Sequence, residues 1–79
     1  MISIPSIPLN FLSVGQSGKI SQLLGLPDEV HRLEELGLRA GVEVEMVQAG
    51  LPCIIRLAGH KLCFRGDEGF AVLVTPEAA

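Results

Sequence analysis

At 79 residues, with 48% hydrophobic side chains and neither Trp nor Tyr, the chain is one small domain whose core must be aliphatic. A domain this small buries only about 60% of the surface its unfolded form exposes, so its stability margin is thin. Six basic against nine acidic residues (net charge −3), with no basic run, argue against nucleic-acid binding. The longest apolar run, Phe70 to Val74, falls far short of the roughly 20 residues of a membrane helix. A mean hydropathy of +0.46 is high for a soluble domain, so part of the apolar surface is expected to face a partner or a second copy.

Residues 1–8 (MISIPSIP) carry Pro5 and Pro8, which bias the chain away from helix and predict an extended arm or edge segment. No Lys or Arg precedes Lys19, which argues against a signal peptide, and a cytoplasmic location is the expectation. Gly15-Gln16-Ser17-Gly18 reads as a turn, and Lys19–Leu24 as a strand with Ile20 inward and imperfect alternation at Leu23-Leu24. Pro27-Asp28 opens a helix, with Asp28 as N-cap or first-turn acid and Glu29 beside it. Val30, Leu33 and Leu36 (or Gly37) form its apolar stripe, and His31, Glu34 and Glu35 fall on the other side. Gly37 suits the left-handed residue that stops a helix, with Leu38 as the apolar contact that often follows.

Val42–Gln48 alternates Val42, Val44 and Met46 with Glu43 and Glu45, the clearest strand signal in the chain. Cys53–Leu57 and His60–Phe64 flank the two-residue loop Ala58-Gly59. Pairing across that loop sets Leu57 against His60, Ile55 against Leu62 and Cys53 against Phe64. One face then holds Cys53, Ile55, Leu57, Leu62 and Phe64; the other holds Ile54, Arg56, Lys61, Cys63 and Arg65. The two cysteines point apart, which predicts no disulfide between them. Gly66 to Gly69 forms a turn, and Phe70–Val74 is the closing strand, stopped by Pro76. Five short strands and one helix predict a mainly β fold, a small and partly open barrel.

Three blocks carry a family likeness: Gly15–Ile20 (GQSGKI), Arg32–Val44 (RLEELGLRAGVEV) and Pro52–Arg65 (PCIIRLAGHKLCFR). Together they resemble the FeoA domain of ferrous iron transport protein A, across about residues 9–75. The resemblance implies an SH3-like β-barrel of about five strands with one short inserted α-helix. It divides the chain into an N-terminal arm (1–8), the barrel domain (9–75) and a tail (76–79). It also implies a cytoplasmic accessory of FeoB, the membrane ferrous-iron permease with a GTPase domain, reaching the inner membrane only through that partner. Two departures stand out: a short Ala49-Gly50-Leu51 connection, and Cys53 where an aliphatic residue is usual. A similar module ends the iron-dependent repressors of the DtxR type, whose winged helix is not among these 79 residues.

Individual residues narrow these options. Gly37, Gly41 and Gly59 read as structural turns. Leu38 and Arg39, on the turn after the helix, are candidate partner contacts, as are Arg56 and Lys61 on the wet face of the hairpin. His31 and Glu35, four apart, share a helix face and could seed a weak Fe(II) or Zn(II) site; otherwise they form a solvated ion pair. No cofactor is expected to be required. No nucleophile–base constellation and no phosphate-binding glycine loop with Lys and Ser/Thr is present, so no enzyme is expected. The leading expectation is a non-enzymatic module that docks on the FeoB GTPase domain and adjusts Fe(II) transport. The alternatives are a metal-responsive regulatory domain and a self-associating barrel forming a homodimer.

Overall fold

In the computed structural model of the chain, residues 6–50, 52–64 and 71–77 are described. The expected Gly66–Gly69 turn, Arg65, Phe70 and the first five residues of the arm lie outside them. The elements run β1 (Ile7–Pro8), a single 3-10 turn (Leu9–Phe11), β2 (Ser17–Leu23), α1 (Pro27–Glu35), β3 (Glu43–Gln48), β4 (Cys53–Leu57), β5 (His60–Phe64) and β6 (Val72–Pro76). The six strands make one antiparallel sheet in the order β1-β6-β2-β3-β4-β5.

The mainly β architecture with one short helix is as expected, with two differences. The sheet has six strands rather than five, because Ile7–Pro8 pairs with Val74 and Leu73 of β6. Among the described residues its ends, β1 and β5, do not pair, so the sheet curls without closing. The closing strand also runs later than its apolar run suggests. Gly18 faces Pro76, and a proline at a strand end forfeits little of the ladder.

Alternation places the core. Ile20, Val44, Met46, Cys53, Ile55, Leu57, Phe64, Val72 and Val74 all point inward and are buried. Leu9, Leu12, Leu33 and Leu38 complete the same cluster from the turns and the helix. Two register shifts, between Ile20 and Gln22 and between Met46 and Gln48, bend β2 and β3 around this core.

The helix ends differently from its simplest reading. Its N-cap is Leu26, and Glu29 reaches back so that Oε1 accepts the Leu26 N–H at 3.0 Å. Asp28 is therefore a first-turn acid rather than the cap. At the other end Gly37 N–H donates to Glu34 O (2.9 Å) and Leu38 N–H to Leu33 O (3.1 Å), a Schellman stop with Gly37 at φ +101°. Within the expected stripe Leu33 is buried and Val30 half-buried, but Leu36 is 43% exposed. The tightened last turn rotates Leu36 off the core, and Leu38 takes the place.

Candidate functional site

The residues singled out in the sequence fall into two groups. The first lies on α1 and the turn that follows it. His31 Nε2 and Glu35 Oε1 lie 3.7 Å apart, with side chains 71% and 68% exposed. Two ligands on a solvated helix face make no closed metal site. Among the described residues no cluster of three or more His, Cys, Asp or Glu side chains could hold a metal ion.

Beyond α1, Val42 N–H donates to Arg39 O (3.1 Å) and Gly41 N–H to Ile20 O (2.7 Å), a β-turn that leads into β3 with Gly41 at φ +91°. Arg39 is exposed on this turn. Leu38 is not: it is fully buried, and the expectation that it projects toward a partner is corrected. The Schellman stop turns the chain inward there, so that Leu38 packs in the core with Leu33.

The second group lies on the outer face of the sheet. Arg56 stands between Glu45 on β3 and Lys61 on β5, directly opposite both. Its Nη1 donates to Glu45 Oε1 at 3.0 Å, and both side chains stay partly exposed. Arg56 is thus engaged within the fold, whereas Lys61 is exposed. A shallow groove of about 210 Å³ runs between Ser17, Glu43, Glu45, Arg56 and the Ala58-Gly59 tip. Gly59 is left-handed, at φ +85°, and so is Ala58, at φ +49°.

Two features were not singled out in the sequence. Leu24, Leu26 and Leu36 are exposed around the two ends of α1, at 40%, 68% and 43%. The available signal was the broken alternation at Leu23-Leu24 and a leucine caught between Gly25 and Pro27. The second feature is Glu77, whose carboxyl shares a hydrogen bond with Glu43. That bond, then the loss of some hydration beside Glu43 and the Glu43 charge, raises its pKa although Glu77 is exposed, and Lys19 opposes the rise. Glu77 follows a strand by one residue, and only the pairing of β2 with both β3 and β6 brings it to Glu43.

The cysteines follow the predicted register, Cys53 opposite Phe64 and Cys63 opposite Ile54, and both thiols are free. Cys53 is buried with its Sγ 3.7 Å from Met46 Sδ; burial, then the nearby Cys63, pushes its pKa up. Among the described residues no helix is long and apolar enough to cross a membrane.

Comparison with known proteins adds the family. The FeoA domain model matches residues 7–76, nearly the whole chain. The chain belongs to the FeoA family. Among solved structures it is similar to Stenotrophomonas maltophilia FeoA complexed with zinc, described as a procaryotic SH3 domain protein (28% identity, 90% of this chain and 95% of that one, TM-score 0.78). It also resembles an iron uptake regulatory protein, FeoA (21% identity, 92% and 100% covered, TM-score 0.85). A third likeness is to the IdeR protein of T. acidophilum (18% identity, TM-score 0.83), where the match covers 98% of this chain but 37% of that one. The last two show the fold alone. A search of curated proteins finds no significant match. The fold is therefore SH3-like, as the sequence blocks imply.

Proposed function

We propose that this FeoA-family chain is a non-enzymatic cytoplasmic accessory of ferrous iron uptake that docks on the GTPase domain of a FeoB-like permease and modulates Fe(II) transport. The observation that carries this reading is the family match across residues 7–76. The S. maltophilia relative, itself proposed to act as a bacterial ferrous iron transport activating factor, supports it. The exposed leucines at both ends of α1, with Arg39 on the next turn, supply apolar contact area on a rigid scaffold. To modulate transport, the module must bind two conformations of the permease with different affinity.

The test is retention of the purified GTPase domain on the immobilised chain, with and without guanine nucleotide. Retention that depends on nucleotide state, and that weakens in Leu26→Asp, is expected. Absence of retention in every nucleotide state overturns the reading. A second reading, a metal-responsive module, draws on the zinc complex of that relative and on the His31–Glu35 pair. Such a site needs further ligands from a second copy. Micromolar Fe(II) or Zn(II) binding in calorimetry, lost in His31→Ala, favours it over the first.

A further inference from the structure

We propose that the outer edge of β5 accepts an extended acidic segment of a partner protein as an added antiparallel strand. The inference does not depend on which protein supplies the segment, nor on docking at α1.

The edge is defined by the sheet order, in which β5 is terminal and pairs with β4 alone among the described residues. In a two-residue hairpin the residues flanking the loop form a hydrogen-bonded pair, and such pairs recur at every second position. Leu57–His60, Ile55–Leu62 and Cys53–Phe64 are therefore the bonded pairs. The backbone N–H and C=O groups of Lys61 and Cys63 turn the other way, to the edge, where an incoming strand can bond them.

Side chains specify the occupant. Lys61 is exposed and forms no ion pair among the described residues, whereas its neighbour Arg56 is already held by Glu45. Arg56 and Lys61 are like charges directly opposite each other, and only Arg56 has an acid, Glu45, on its other side. A carboxylate opposite Lys61 gives the row Glu45–Arg56–Lys61–acid one acid for each base and offsets that repulsion. On the inner face Leu62 packs against the core yet stays partly exposed, so the residue next to that acid gains by being apolar. The edge thus selects an extended segment in which acidic and apolar residues alternate. A second copy fits less well. Two β5 edges would bring two Lys61 side chains to one face with no acid between them, and β1, the opposite edge, is two residues long and contains Pro8.

The test uses the full chain, isotope-labelled, and a blocked peptide of alternating glutamate and valine. Chemical-shift changes and slowed amide exchange centred on Lys61 and Cys63 are expected, and they weaken as salt screens the pair. A peptide N-methylated at its glutamates should lose binding, since those amides face β5, while one N-methylated at its valines retains it. Lys61→Glu should weaken binding roughly fivefold and Lys61→Arg restore it. A lysine–valine peptide that binds equally well, shifts centred on α1, or no shifts at millimolar peptide overturns the proposal. In the last case Lys61 serves only to keep the edge from pairing.

Discussion

The β4–β5 hairpin and helix α1 are neighbours in one small fold, yet they are secured in different ways. The hairpin buries Cys53, Ile55, Leu57 and Phe64 from a single face, and its other face keeps Arg56, Lys61 and Cys63 toward solvent. The nine-residue helix buries one side chain, Leu33, and leaves leucines exposed at both ends. A helix below about 12 residues is marginal alone, so α1 is held by its Schellman stop and by Leu33 and Leu38. The hairpin's inner face is scaffold, whereas the helix presents apolar side chains at its two ends, as the proposed docking at α1 requires.

The sharpest way to break the comparison is to delete core volume on each side. Ile55→Ala, at the centre of the sheet, should cost about 4 kcal/mol, and Leu33→Ala only about 2 kcal/mol, because the helix periphery can collapse onto the gap. Denaturant unfolding measures both, and equal losses would remove the distinction. Gly37→Ala comes next. Its φ of +101° resists a Cβ, and that Cβ would also lie 3.4 Å from Leu57 Cδ1, so a loss of about 1–2 kcal/mol is expected in the same assay. At the hairpin tip the sign reverses. Ala58 holds φ +49°, which favours Asn or Gly, and Ala58→Asn should stabilise by about 0.5 kcal/mol.

The smallest effects concern the ionisable groups. In thiol labelling at neutral pH, Cys63 should react at once and Cys53 only on unfolding, because Cys53 is buried and its pKa is raised. A thiol whose folded-state value is raised favours the fold below its unfolded value, and that contribution is lost as pH climbs through the folded one. Alkaline destabilisation is therefore expected, and Cys53→Ala should reduce its pH dependence. The Glu77 carboxyl should titrate by NMR above the ordinary Glu value, and Glu43→Gln should lower it, since Glu43 is the first cause of the rise.

Much of the hairpin was legible beforehand because its rules are local. Period-two alternation and a two-residue loop ending in Gly59 set the register, and all five cross-strand pairs follow. The stop at Gly37 was legible for the same reason, since a left-handed glycine and the bonds around it span six residues. The candidate site was legible only in part. Arg39 and Lys61 are exposed as expected, but Leu36 and Leu38 exchange places: the apolar pattern is identical whether a residue after the helix stop turns in or out.

The amino-acid sequence by itself determined the helix, most of the strands, the hairpin faces and the family blocks, because these depend on residues within a few positions of one another. Tertiary structure alone decided that Ile7–Pro8 joins β6, that β2 lies between β6 and β3, and that β5 is left at the edge. Those pairings join segments up to about 70 residues apart, where the choice rests on which strands together enclose the aliphatic core, a sum that no local pattern contains.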